Sequence, residues 1–173
     1  MKPSSARKLA LHWAERSIGA WLFLLFGVAL SYGYYYAEEV FPKDEALSEA
    51  TGTVAWTKTY RNSLYFAFAE KPYQFVYHSK SGSLVAIAEA IQHSKGVPVT
   101  LRYLAGDRAE PMFLEGAFYS VYGVSLSGRE LRTLDQVHDS HHRDNLFSLY
   151  MGIPFAMLGA SRLVWLRRRQ NLS

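Results

Sequence analysis

The densest group of side chains able to do chemistry is His138-Asp139-Ser140-His141-His142-Arg143-Asp144. On a helix, His138 and His142 stand at i and i+4 on one face, with His141 and Asp135 on the adjoining i+3 surface. That spacing lets imidazole nitrogens hold Zn²⁺ or Cu²⁺ if one or two more ligands come from elsewhere. The plainer role for the same residues is a polar turn of helix beside headgroups, and a third is a pH sensor in which three imidazoles gain charge together. No H-E-x-x-H pattern accompanies the cluster, and with no cysteine in the chain, disulfides, thiolate metal sites and Cys nucleophiles are excluded.

Other catalytic patterns are missing from the sequence. Gly82 and Gly96 belong to no phosphate-binding fingerprint, there is no G-x-S-x-G, and the carboxylates are scattered. His78 and His93 flank a short helix and are within sequence reach of Ser79 and Ser81, a weak signal for nucleophilic chemistry. A non-enzymatic protein without a cofactor is therefore expected, zinc or copper on His138, His141 and His142 being the alternative. The other candidate surface is aromatic. Tyr65, Tyr73 and Tyr77, with Tyr119 and Tyr122, would form a stacking platform for a glycan or peptide on one β-face, or else serve as core.

The elements that must carry these residues begin with two apolar segments. Residues 18–37, IGAWLFLLFGVALSYGYYYA, run without a formal charge, and at about 1.5 Å per residue such a helix matches a hydrocarbon core of about 30 Å. Trp21 near one end and Tyr34, Tyr35 and Tyr36 at the other sit where interfacial aromatic anchors belong. The rival is a cleaved signal peptide, but the run is long for one and no clear A-x-A site follows. Residues 146–166, LFSLYMGIPFAMLGASRLVWL, carry a single charge, Arg162. Its stem can snorkel, so Arg162 marks an interface together with Trp165, Arg167, Arg168 and Arg169. Pro154 predicts a kink, and Gly152, Ala156, Gly159 and Ala160 form a small-residue stripe for a second helix, with Gly27 and Ser31 as a shorter counterpart. Such stripes pack the two spans together or make a homo-oligomer.

Charge assigns the sides. Of the net +4, residues 1–17 carry +3 and residues 162–173 carry +4, whereas residues 38–144 hold 11 basic and 14 acidic side chains. By the positive-inside rule both termini are cytoplasmic, and the central part lies across an inner (plasma) membrane, in the periplasm or outside the cell. Nucleic acid is excluded as a partner, because the basic residues belong to the membrane flanks and the bilayer accounts for them.

Between the spans the pattern predicts a juxtamembrane linker at 38–50 and a β-domain at 51–133. Strands are expected over 51–60, 64–69 and 73–78, with a turn at Arg61-Asn62-Ser63, and a helix over 83–94 with Ser83 as N-cap and Gly96 as stop. A strand over 99–104, a turn-like AGDRAEP at 105–111, one or two strands over 112–126 broken at Gly116 or Gly123, and a hairpin at Ser127-Gly128 back to Leu131 complete the domain. Three strands, a helix and two or three more strands is the order of a small OB-like barrel. Thr133 with Gln136 forms a capping box, so a juxtamembrane helix over 134–145 should lead without a break into the second span and make a rigid connection.

Two short motifs carry a resemblance: Thr51-Gly52-Thr53-Val54 and Arg102-Tyr103-Leu104-Ala105-Gly106-Asp107. With the two flanking spans they resemble small bacterial two-span membrane proteins of unknown function whose extracytoplasmic β-domain opens with T-G-x-V and closes with R-Y-x-x-G-D. The helix over 83–94 and the hairpin after Gly116 depart from the simplest version. The resemblance implies the layout, no activity and no functional residues. The expected function is binding of a protein partner by the β-domain, as in an assembly factor, envelope component or immunity-type inhibitor, and the alternative is metal binding or delivery through the histidines.

Overall fold

The computed structural model describes the backbone of residues 5–94 and 96–170 and the side chains of residues 17–94 and 96–169. The chain forms two compact units, one made of residues up to Val40 and from Asn145 onward, the other of Phe41–Asp144.

The first unit is a helix pair, α1 (Ser5–Glu39) with the part of α3 (Leu134–Gln170) that follows Asp144. Both are long and apolar enough to cross a membrane, over Ser17–Glu39 and within Leu134–Arg169. They meet where side chains are smallest. A Cβ on Gly27 would collide with the Ala156 backbone nitrogen and lie 2.5 Å from the Gly152 carbonyl oxygen. One on Gly159 would lie 2.5 Å from the Leu24 nitrogen and 2.6 Å from the Ala20 carbonyl oxygen. The seam thus follows Gly152, Ala156 and Gly159, and Ala160 of the expected stripe faces outward. Phe155 extends the contact by ring packing with Phe23 and Phe26, each at 5.5 Å. Elsewhere the pair turns large apolar side chains outward, among them Leu22, Leu25, Val28, Ile153, Leu158 and Val164.

The second unit is α+β. Its strands are β1 (Leu47–Gly52), β2 (Val54–Tyr60), β3 (Ser63–Phe68), β4 (Gln74–His78), β5 (Val99–Ala109), β6 (Phe118–Leu126) and β7 (Arg129–Arg132), with α2 (Leu84–Gln92) between β4 and β5. They form one mixed seven-stranded sheet in the order β1-β5-β6-β4-β3-β2, with β7 on β6. All pairs are antiparallel except β4 with β6. The sheet is an open path ending in β1 and β2 and is not a closed barrel. The expected first strand over 51–60 is in fact two. The ladder partner changes from Val99 at Gly52 to Phe68 at Val54, and the chain passes from one end of the path to the other across Thr53 alone. The turn expected at 105–111 is corrected as well, because β5 runs on through it to Ala109.

Local chemistry fixes that passage. A Cβ on Gly52 would sit 2.8 Å from the Phe68 ring and 2.9 Å from a Glu70 carboxylate oxygen, so no side chain fits there. Glu70 accepts from the Thr53 backbone N–H at 3.0 Å and from the Thr53 hydroxyl. The linker reading of 38–50 is corrected on one side: α1 ends at Glu39, a 3-10 turn covers Asp44–Ala46, and β1 already begins at Leu47, where Ala50 enters the core. LSEATG has little β-branched character, and pairing with β5 from Leu47↔Leu104 to Gly52↔Val99 overrides its weak propensity.

The core is formed by Leu64, Phe66, Phe68, Phe75, Tyr77, Val99, Leu101, Val121 and Val124, closed by Ile87 and Ile91 of α2. Ser83 precedes α2 but makes no side-chain cap bond, because its φ of 51° places it in the left-handed region. The expected turns at Arg61 (φ 49°) and at Ser127-Gly128 (φ 50° and 79°) have the positive φ that tight hairpins require.

Candidate functional site

Thr133 and Gln136 start α3. The Gln136 N–H donates to the Thr133 hydroxyl at 3.2 Å and the Thr133 N–H to Gln136 Oε1 at 3.3 Å, the reciprocal pair of a capping box. Arg132, one residue earlier, ties this turn to the segment after β4. Its Nε donates to the Ser81 carbonyl at 3.0 Å and its Nη2 to the Gln136 carbonyl at 2.8 Å and to the Ser140 hydroxyl. Gly82, at φ 78°, leaves room for that guanidinium, and the Tyr77 hydroxyl donates to the Gly82 carbonyl at 2.6 Å. Burial pushes the Tyr77 phenol up to about 12 against the opposing pull of Arg132. Apart from the capping box at Thr133 and Gln136, this polar knot had no motif in the sequence to announce it.

The histidines lie on the first turns of α3, and their surroundings are aromatic. Phe41 meets His138 edge-on at 4.7 Å and His141 at 5.4 Å, and its other neighbour is Tyr122 at 5.7 Å. The His138 and His142 rings lie 6.3 Å apart and nearly parallel. Among the described residues no group of three or more His, Cys, Asp or Glu is placed to hold a metal ion, and the expected zinc or copper ligands His138, His141 and His142 have aromatic rings as neighbours. The i, i+4 spacing is real, but Phe41 occupies the space at which His138 and His141 both face it. His141 Nε2 is left buried without a hydrogen-bond partner among the described residues.

His78 pairs neither with Ser79 nor with Ser81. Its Nδ1 is 3.0 Å from the Ser63 hydroxyl across the β3–β4 ladder. Burial lowers its basicity, and the charge of Asp107 opposes that shift. Asp107 also acts on Tyr122, whose phenol is pushed up to about 12 by burial first and by the Asp107 charge second. The R-Y-x-x-G-D motif is thereby accounted for at three positions. Arg102 pairs with Asp44 at 2.5 Å, Tyr103 packs with Tyr73 and Tyr119 at 6.0 and 5.5 Å, and Asp107 serves the Tyr122–His78 region.

The tyrosine platform does not survive as expected. Tyr77 is fully buried and Tyr65 is 8% exposed, while Tyr73 is half-buried beside Tyr103 and Tyr119. The sequence cannot separate the two faces of β3 and β4 because both are covered, one by α2 and the other by the chain around Phe113. What remains exposed is a different aromatic group. Trp56 (37% exposed) lies 6.3 Å from Phe118, and Phe113 (38% exposed) packs on Tyr60 at 4.0 Å and on Tyr65 at 5.3 Å. Met112 beside it is fully exposed, and the Arg61 guanidinium stands 5.4 Å from the Tyr60 ring centroid. Trp56, Met112 and Phe113 were not singled out in the sequence: Trp56 lies within an expected strand whose exposed face the pattern does not mark, and Met112 and Phe113 lie in the loop between β5 and β6, where apolar residues give no periodic signal.

On the helix pair, Trp21, Tyr35, Tyr36 and Trp165 are exposed and Tyr34 is half-buried. Arg162, Arg167, Arg168 and Arg169 are exposed as well. Near the other end of the pair the Asn145 side chain donates to Glu38 at 3.4 Å. No family model, no curated protein and no solved structure matches this chain. Its class is set by its architecture alone: an α+β chain in which two candidate membrane helices flank a seven-stranded sheet.

Proposed function

We propose that the chain is a non-enzymatic, two-span protein of the inner (plasma) membrane whose intervening β-domain binds a protein partner. Both termini are cytoplasmic and the domain is extracytoplasmic in this reading. The membrane part is supported by the large apolar side chains turned outward around the helix pair, since an exposed apolar surface of that kind suits lipid and not water. The sidedness is supported by the basic flanks at residues 1–17 and 162–173.

For the domain we favour an OB-like topology in which β1 and β2 act as one strand bent at Thr53. The strand order, the parallel β4–β6 pair and the position of α2 between β4 and β5 support it. The observation that carries partner binding is the exposed pair Trp56 and Phe113, packed on the buried rings of Phe118 and Tyr65, with the fully exposed Met112 next to Phe113 in the chain. Large apolar side chains fixed on a packed base are what interface anchors require. The resemblance to small bacterial two-span membrane proteins agrees with this layout.

The test is co-purification of the untagged full chain in mild detergent, with mass spectrometry of what accompanies it. A stoichiometric protein that is lost from the Met112→Ser, Phe113→Ser double variant supports the reading. A partner that stays on that variant, or no partner at all, overturns it.

A further inference from the structure

Arg162 and Arg169 lie on either side of Trp165 in sequence, and both guanidiniums pack on its ring, at 4.8 and 4.2 Å from the centroid. This contact orders two long side chains while leaving their N–H edges free to hydrogen-bond. Among the described residues neither guanidinium has an ion-pair partner; the pairs are Arg102–Asp44 and Arg108–Glu110. The sequence after Asp144 contains no further carboxylate side chain. Among the described residues, two ordered positive groups are therefore left without a counter-charge.

The same helix face continues into an apolar groove. Phe155, Arg162 and Arg169 are spaced by seven residues, so they fall within about 40° of one another around α3, with Arg162 about 10 Å and Arg169 about 21 Å along the axis from Phe155. Phe155 lines a groove of about 440 Å³ with Gly19, Leu22, Phe23 and Phe26. Gly19 supplies the opening, since nothing lies within 4 Å of where its Cβ would be.

We infer that Arg162 and Arg169 hold the phosphate of an anionic phospholipid whose acyl chain lies in the groove at Phe155. The inference rests on the membrane reading above. A charged head on an apolar chain is the chemistry that matches a guanidinium pair followed, on one helix face and at this distance, by a groove lined with aromatic carbon. A second copy of the helix pair would fill the groove and leave the two guanidiniums unanswered, and free phosphate would leave the groove empty.

The test is native mass spectrometry of the full chain in mild detergent with equal amounts of dioleoyl phosphatidylglycerol and dioleoyl phosphatidylcholine. The expected result is a preference for phosphatidylglycerol that falls roughly fivefold for each guanidinium removed in Arg162→Gln and Arg169→Gln. The Arg167→Gln, Arg168→Gln double variant loses the same charge from other positions and should lose clearly less of the preference than the Arg162→Gln, Arg169→Gln double variant. Circular dichroism verifies that each variant keeps its helix content. Equal binding of the two lipids overturns the inference, as does an equal loss in both double variants or displacement of the lipid by inorganic phosphate. A dimer that forms in place of lipid binding also overturns it. If the protein instead leaves the membrane fraction in alkaline carbonate, the membrane reading itself has failed, before any lipid is compared.

Discussion

Gly27 and His78 illustrate how single side chains set limits here. At Gly27 the constraint is steric, because a Cβ would meet the backbone of Ala156 and Gly152 and not the movable end of a side chain. Gly27→Val should therefore force the helices apart and cost about 1–3 kcal/mol, the usual penalty of overpacking. Thermal melting in detergent checks this, and Ala29→Val on an exposed position is the control that should melt as the parent does. At His78 the constraint is electrostatic. Burial favours the neutral ring in the folded state, so the folded protein binds fewer protons than the unfolded chain once pH falls below the ordinary histidine value of about 6.5. Stability should be complete above that value and decline as pH falls through it toward the lowered native value. Melting temperatures between pH 8 and pH 5 should show this decline, and His78→Asn should make it shallower without abolishing it, because burial lowers the basicity of His141 as well; an unchanged slope would mean that the decline arises elsewhere.

Elements here are positioned by a few polar contacts at their ends. The start of α3 depends on Thr133, which accepts from the Gln136 N–H, and Thr133→Ala should cost about 1 kcal/mol as loss of an N-cap does. Thr133→Ser keeps the hydroxyl and should restore most of it, with urea unfolding as the measurement. The passage from β1 to β2 depends on Gly52, where a methyl group would press on the Phe68 ring and the Glu70 carboxylate. Gly52→Ala should destabilise the β-unit by about 1–3 kcal/mol. Glu70 holds the same passage by accepting from the Thr53 hydroxyl first and its backbone N–H second, and those bonds keep its carboxyl below the usual carboxylate range. The T-G-x-V motif thus acts as a bend between two ladders, Gly52 permitting the approach and Thr53 supplying the donors.

For the complete chain, the membrane reading makes the broadest prediction. The protein should remain in the membrane pellet after alkaline carbonate extraction. In intact spheroplasts, external protease should cut within Phe41–Asp144 while a tag on either terminus stays protected. Release by carbonate, or cleavage of a terminal tag, would contradict the proposed arrangement. The partner surface should behave independently of the helix seam: Met112→Ser should melt with the parent, because Met112 is fully exposed, Phe113→Ser should lower the melting temperature of the β-unit, because it strips a ring from Tyr60 and Tyr65, and Gly27→Val should shift melting without altering the exposed aromatic group.

Elements that rest on local pattern were legible from residue types: the two long apolar helices, the capping box at Thr133, the hairpins at Arg61 and Ser127-Gly128, and the succession of strands around one short helix. Each is decided by hydrophobic run length, side chains within four residues or a required positive φ, all of which are properties of neighbours in the chain. The division of one expected strand at Thr53, the recruitment of Leu47–Gly52 into the sheet and the burial of Tyr65 and Tyr77 were not legible, because each depends on a partner far along the chain: Val99 and Leu104 for β1, α2 and the chain around Phe113 for the two faces of β3 and β4. The histidines show the same divide. Their i, i+4 spacing is local and was read correctly, but whether imidazoles meet a metal or a ring depends on what folds against them, and Phe41, about a hundred residues away in the chain, supplies the ring.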